Sequence, residues 1–149
     1  MSPANTDVPA LVGAALPTPV PMDEYDRCPV TDVVRLVSDR WSLVTLALLG
    51  RRTYRFNELH RSIEGISQRM LTRTLRNLEA SGLVQRTVYA TTPPTVDYRL
   101  TPLGESLLAP LSALADWAVQ HASELAAARR AAESPAGTGG SPGSRRPPW

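Results

Sequence analysis

The segment 56–81 constrains the fold most, because it reads as two short helices joined by a tight turn. In the second helix, Leu71, Leu75 and Leu78 fall within one sector at about 100° per residue. Arginines occupy the opposite side, at positions 69, 73 and 76. Such a helix packs its leucines on a protein core and leaves its cationic side for a phosphate-rich groove. The segment therefore predicts a DNA-binding helix.

The positive charge of the chain is concentrated around this segment. Residues 51–99 contain nine Arg against four acidic residues, a net charge of +5, although the whole chain of 149 residues carries only +2. Residues 1–50 contain three Arg against six acidic residues, a net charge of −3, and residues 100–149 contain four of each. All sixteen basic residues are Arg, whose forked donors suit phosphates and guanine edges.

Several functional classes lack support in the sequence. The single cysteine, Cys28, excludes an intramolecular disulfide, and the two histidines are too few and too far apart to predict a metal site. There is no glycine-rich phosphate loop, Ser-His-Asp arrangement or carboxylate cluster, so we expect no catalytic residue and no cofactor. No apolar run reaches the ~18 residues of a membrane span, and no basic residue precedes the apolar N-terminal stretch. We expect a cytoplasmic, nucleoid-associated protein.

The pattern along the chain predicts a mainly α fold with a small β-hairpin. Residues 1–24 and 131–149 are expected to be a disordered arm and a disordered Pro/Gly-rich tail around one domain, 25–130. Helices are predicted over about 29–38, 40–49, 55–62 and 68–81. Pro29 suits a first turn, Asp39 and Ser67 suit N-caps, and Gly65 permits the turn between the two helices of the motif.

After Gly82 the apolar period changes to two, which predicts two strands around Pro93-Pro94. A helix-turn-helix followed by such a hairpin is a winged helix-turn-helix. One long final helix is predicted from Pro102 to about Arg130, bent or loosened by Pro110. Its apolar stripe reaches past a small domain, which predicts terminal helices that dimerise. The expected interface residues are Val33, Leu36, Leu107, Leu111, Leu114, Trp117 and His121.

The basic helix supplies most of the predicted DNA contacts. An ordinary solvated helix face would also carry arginines, but Glu79 is the only acid in this helix, so little i,i+4 pairing is available. Gln68 and Arg69 are predicted to read bases, Arg76 to contact phosphate and Thr72 to meet a thymine methyl. The hairpin tip would contribute only hydroxyl and backbone groups. The full predicted set is Arg55, Ser67, Gln68, Arg69, Thr72, Arg73, Arg76, Thr92 and Thr95.

Four strings of residues lie in register with a known family: CPV at 28–30, DRWSLVTLALL at 39–49, residues 54–86 with FNEL and GISQRML, and YRLTPLG at 98–104. With them the chain closely resembles the HxlR family of bacterial transcription regulators. The resemblance implies a winged helix-turn-helix homodimer, assembled through its terminal helices, that binds a double-stranded operator of two half-sites. We expect a repressor. The chain departs from the family pattern at Thr95, where a basic residue usually follows the double proline.

Cys28 has two interpretations. A lone cysteine is commonly a small buried hydrophobe. However, a thiol at a helix N-terminus beside Arg27 favours the thiolate, although Asp26 and Asp32 oppose it. The family resemblance implies that the cysteine before the proline senses oxidants or electrophiles in some members, and only Cys28 matches that position.

Two other functions stay open. One is a regulator gated by a small molecule without thiol chemistry, and the other is a winged-helix module that binds an acidic protein.

Overall fold

The computed structural model describes residues 19, 21–26 and 28–134. These residues divide into two compact units, with the boundary between Leu108 and Ala109. The helices are α1 Met22–Asp26, α2 Pro29–Val37, α3 Arg40–Leu49, α4 Phe56–Ser62, α5 Gln68–Ala80, α6 Pro102–Gln120 and α7 Ala122–Glu133. The strands are β1 Tyr54–Arg55, β2 Val84–Tyr89 and β3 Thr95–Leu100.

The core of the first unit forms where α3, α4 and α5 meet the sheet. Apart from Thr45, its fully buried large side chains are leucines that the helical period places on the inner face of each helix. They are Leu46, Leu59, Leu71, Leu75 and Leu78.

Helix α3 begins where the sequence predicted, because Asp39 caps it. The Asp39 carboxylate accepts the backbone N–H of Trp41 at 2.9 Å and that of Ser42 at 3.3 Å. Burial raises the pKa of Asp39, but hydrogen bonds from the Ser42 hydroxyl and from both backbone N–H groups outweigh it and leave this pKa below its ordinary value.

The helix-turn-helix is confirmed as α4, a turn and α5. Gly65 has a φ of 82°, a conformation that costs glycine little, and it makes the turn possible. Ser67 then caps α5 by accepting the Met70 N–H on its hydroxyl oxygen at 3.1 Å. Helix α5 ends before Gly82, which has a φ of 74°.

The predicted hairpin is present as β2 and β3, which pair antiparallel from Val84 opposite Leu100 to Tyr89 opposite Thr95. The sheet contains a third strand that the sequence did not predict. Strand β1 pairs with the other edge of β3, with Tyr54 opposite Tyr98, and gives the order β1-β3-β2. Two residues are too few to show an alternating pattern, so β1 could not be recognised from periodicity.

The prediction of one continuous final helix is wrong. Helix α6 runs through Pro110 without interruption, and the break falls instead at His121, between α6 and α7. His121 Nδ1 lies 2.8 Å from the Trp117 carbonyl oxygen, the same oxygen that accepts the His121 backbone N–H at 3.1 Å. The backbone of His121 departs from the α-helical region there, with a φ of −107° and a ψ of 9°.

The predicted boundaries of the two tails also change. Residues 22–26 form α1, although they overlap the arm predicted as disordered, and α7 continues to Glu133 rather than ending near Arg130. Residues 1–18 and 135–149 lie outside the described residues, so the rest of both tail predictions stays untested.

Candidate nucleic-acid interface

Helix α5 separates its apolar and cationic sides as the sequence predicted. Its buried residues are Leu71, Thr74, Leu75 and Leu78, whereas Arg69, Arg73 and Arg76 are exposed. Within the described part of the chain, none of these three arginines is in an ion pair. Together with Thr72 and Asn77 they line an open groove of about 460 Å³. The structure therefore brings three free guanidinium groups to one surface.

The start of α5 presents two further predicted residues. Ser67 and Gln68 are both exposed. The Ser67 hydroxyl already caps the helix, and the Gln68 carbonyl oxygen accepts the Thr72 hydroxyl at 2.8 Å. Because its hydroxyl proton is used, Thr72 keeps its methyl group and the acceptor side of its hydroxyl oxygen for further contacts.

Arg86 on β2 joins this surface, although the sequence reading did not assign it a role. A groove of about 320 Å³ contains Arg86 and Arg76 together, with Glu79 and Thr72 beside them and Phe56, Leu75 and Tyr98 as its apolar walls. The register of β2 against β3 explains the position of Arg86. It lies directly opposite the buried Tyr98 and therefore on the face of the sheet that meets the helices. Alternation along β2 places Arg86 and Gln85 on opposite faces of the sheet, but it does not show which face meets the helices.

The two predicted wing residues differ in their surroundings. Thr95 lines a groove of about 510 Å³ together with Arg55, whereas Thr92 is exposed and does not line it. The Thr91 hydroxyl donates to the Pro93 carbonyl oxygen at 2.8 Å, which occupies one of the hydroxyl groups at the tip. Arg55 is paired with Asp97, because its Nε lies 3.6 Å from Asp97 Oδ1.

A carboxylate at the start of α4 organises the strand that precedes it. Glu58 Oε2 accepts the backbone N–H of Arg55 at 2.8 Å and lies 3.5 Å from Arg52 Nη1. The Arg55 N–H is the main cause that lowers the pKa of Glu58, and the charge of Arg52 adds to it. Glu58 is therefore ionised at neutral pH and fixes the junction between β1 and α4.

Cys28 is the N-cap residue of α2 and is partly buried. The backbone N–H of Thr31 lowers the pKa of the Cys28 thiol most, followed by the Val30 N–H and the Thr31 hydroxyl. Partial burial and the charge of Asp32 raise this pKa but do not cancel the effect. Arg27, the predicted cationic neighbour, lies outside the described residues.

The residues predicted for the dimer interface lie on apolar faces that are incompletely covered. In the first unit, α2 has no buried residue, and Val33 is 42% exposed. In the second unit, Leu114 is 61% exposed and Trp117 is 51% exposed. The remaining predicted interface residues are partly buried: Leu36, Leu107, Leu111 and His121. The Trp117 and His121 rings stack, with 4.5 Å between their centroids.

Among the described residues, no group of three or more His, Cys, Asp or Glu side chains is placed to hold a metal ion. None of the described helices is both long enough and apolar enough to cross a bilayer.

The chain is similar to known proteins over most of its described residues. The family model for the HxlR-like helix-turn-helix matches residues 36–126. The helix-turn-helix-type transcriptional regulator YtfH of Escherichia coli strain K12 is 40% identical over 104 residues, which cover 70% of this chain and 82% of that protein. The structure of ytfH from Salmonella typhimurium superimposes with a TM-score of 0.60 at 38% identity and covers 70% of this chain and 94% of that one. The redox regulator HypR in its reduced form gives a TM-score of 0.63 at 34% identity, with 67% and 99% covered.

Proposed function

The chain belongs to the HxlR family of winged helix-turn-helix transcription regulators, which are not enzymes, and we propose that it binds operator DNA sequence-specifically as a homodimer. One observation carries the proposal. Helix α5 anchors itself through buried leucines and presents three unpaired arginines on its open side. A cationic helix held rigidly by its own core has the form that enters a major groove.

The residues of α5 divide into readers and anchors. Gln68 and Arg69 lie in its first turn, which is the part of a recognition helix that reaches base edges, so we assign them to sequence reading. Arg73 and Arg76 lie one and two turns further on, and we assign them mainly to phosphates, with Arg86 beside Arg76. The backbone N–H of Ser67 completes the half-site contact.

Two copies are needed for an operator of two half-sites, whose centres are about 34 Å apart. The exposed apolar side chains of α2, and separately those of residues 109–133, support a homodimer because large exposed apolar patches mark interaction sites. Linking two DNA-binding domains makes binding to the second half-site effectively intramolecular, which increases the affinity for the operator without additional contacts in either half-site. Leu114→Asp should therefore convert a dimer into a monomer in sedimentation equilibrium, whereas Glu124→Ala, an exposed change on α7, should not.

Selection of bound fragments from a random duplex pool tests the proposal directly. The unchanged chain should enrich a motif with two related half-sites. The triple variant Arg69→Gln, Arg73→Gln, Arg76→Gln should enrich no motif, while Arg129→Gln with Arg130→Gln, exposed arginines of α7, should enrich the original motif. Equal enrichment by both variants, or the absence of any motif for the unchanged chain, would refute sequence-specific binding through α5. Retention of the chain by an acidic protein, without salt-dependent binding to duplex DNA, would instead favour a protein-binding module.

A second function, sensing of oxidants or electrophiles, is supported by Cys28. Its thiol pKa is lowered by backbone N–H groups at the start of α2, and low-pKa thiols are the ones that react. HypR, a similar protein, is a redox regulator by description. We propose that oxidation or alkylation of Cys28 changes the packing of α2 in the dimer and releases the repressor from its operator in the cytoplasm.

The thiol proposal is separable from DNA binding. Addition of hypochlorite or a quinone should release the unchanged chain from the selected DNA and should leave Cys28→Ser bound. Release of both proteins to the same extent would exclude the thiol and would favour gating by a small molecule without thiol chemistry.

A further inference from the structure

The groove between α4 and the wing tip contains cations that the tip itself lacks. Residues 90–95, which form the tip, include no basic side chain. The groove, of about 510 Å³, brings Arg55 and Arg61 next to the tip, and Pro94, Thr95 and Val96 form its other wall. The cationic charge near the wing is therefore supplied by β1 and by the last turn of α4 rather than by the hairpin.

The groove continues the basic surface of α5. Phe56 lines both this groove and the neighbouring groove that contains Arg76 and Arg86, so the two grooves meet at the Phe56 ring. A DNA strand held on α5 would bring the next phosphates of its backbone toward Arg55. A phosphodiester is therefore the ligand that fits the groove by charge and by position.

Asp97 determines how Arg55 meets such a ligand. Arg55 in β1 lies opposite Asp97 in β3, and the contact at 3.6 Å uses Nε of the guanidinium group. The Asp97 side chain is 25% exposed and that of Arg55 is 63% exposed, so the carboxylate is held near the sheet and the guanidinium extends outward. Because Nε is the guanidinium atom that faces Asp97, the two Nη atoms remain for a further acceptor, and a phosphate accepts such a pair in bidentate geometry.

We propose that Asp97 is a positioning residue that directs Arg55 to a DNA phosphodiester in this groove, so that Arg55 replaces the cation absent from the wing tip. The assignment rests on the proposed DNA-binding function. Glu58 also lines the groove, but its carboxylate already accepts the Arg55 backbone N–H and lies 3.5 Å from Arg52, which balances its charge.

The assignment is tested by fluorescence anisotropy with a random-sequence 30-base-pair duplex and with the selected fragment. Arg55→Gln should lower the salt slope by about 0.9 for each subunit bound and raise Kd at least about eightfold near 0.1 M salt. Asp97→Asn should raise Kd about threefold, as expected for loss of an exposed ion pair. The double variant should bind no more weakly than Arg55→Gln, because Asp97 acts only through Arg55.

Two further variants separate positioning from charge and from folding. Arg55→Lys keeps the charge but cannot engage Asp97 and a phosphate through one planar group, so its Kd should lie between those of the unchanged chain and Arg55→Gln. Arg35→Gln removes an exposed arginine from a comparable ion pair, with Asp26 at 3.5 Å, and should leave the salt slope unchanged. Thermal unfolding of each variant checks that the domain is folded.

Each contrary result has one meaning. Tighter binding by Asp97→Asn would overturn the assignment, because Asp97 would then withhold Arg55 from DNA. An unchanged salt slope in Arg55→Gln would also overturn it. Absence of salt-dependent binding by the unchanged chain would instead overturn the proposed function on which the assignment rests.

Discussion

Helix α5 and the helical segment 109–133 use the same amphipathic pattern for opposite purposes. In α5 the leucines are buried inside their own unit and the polar side is left open with unpaired arginines. In the second unit, Leu114, Trp117 and Val119 remain exposed, and α7 has no buried residue. Each segment leaves a different face uncovered by its own unit. We propose that the cationic face of α5 meets phosphate and that the apolar surface of residues 109–133 meets a second copy.

The largest contrast is expected from equal truncations in the two segments. Leu75→Ala removes a buried side chain and should lower the free energy of unfolding by about 2–5 kcal/mol, through lost burial and the cavity that remains. Leu114→Ala should change the free energy of unfolding of the isolated monomer by no more than about 0.5 kcal/mol, because this side chain is largely exposed. Urea denaturation at low protein concentration measures both values.

Protein concentration provides the control for this pair. If residues 109–133 form the dimer interface, Leu114→Ala should become destabilising as the concentration rises, since association stabilises the folded state by mass action. A loss of several kcal/mol for Leu114→Ala in the monomer would show that its side chain is buried within its own chain, and the comparison would fail.

A smaller effect is expected for a single arginine of α5. Arg73→Ala should weaken binding to the selected fragment by at least about eightfold near 0.1 M salt, because we assign Arg73 mainly to phosphate and the salt slope falls by about 0.9 for each subunit bound. Its free energy of unfolding should not change measurably, because Arg73 is exposed and in no described ion pair. Arg130→Ala on α7 is the matched control and should change neither quantity. A destabilised Arg73→Ala would indicate a structural role.

The smallest effect concerns the capping of the helix on which α5 packs. Asp39→Ala should cost about 1 kcal/mol of stability at pH 7, since it removes the N-cap of α3. The folded-state pKa of Asp39 is lowered, so the contribution of its charge is present above the unfolded pKa of about 3.9 and is lost as pH falls through the folded pKa. The difference in the free energy of unfolding between the unchanged chain and Asp39→Ala should therefore become smaller as the pH falls through the folded pKa. Asp116→Ala, an exposed change in α6, should show neither the cost nor the narrowing.

Local signals in the sequence predicted much of the first unit. Asp39, Gly65 and Ser67 act on their immediate neighbours, and the period of the leucines gave both the helices and their buried faces. The arginine side of α5 followed from the same period, because a helix that buries one side must expose the other.

The missed features depend on contacts that are distant in sequence or specific to one side chain. Strand β1 forms because Tyr54 pairs with Tyr98 in β3. Arg86 reaches the basic surface because the pairing of β2 with β3 places it opposite Tyr98. The break falls at His121, whose imidazole lies beside the Trp117 carbonyl oxygen, whereas Pro110, the residue expected to disturb the helix, lies within an uninterrupted α6.

The salt dependence of Kd for the selected fragment tests the central claim most directly. For the unchanged chain, log Kd should rise steeply with log salt, and the slope should fall by about 0.9 for each phosphate contact removed in the triple glutamine variant of Arg69, Arg73 and Arg76. Identical slopes for the two proteins would contradict the account, because the arginines of α5 would then not face DNA.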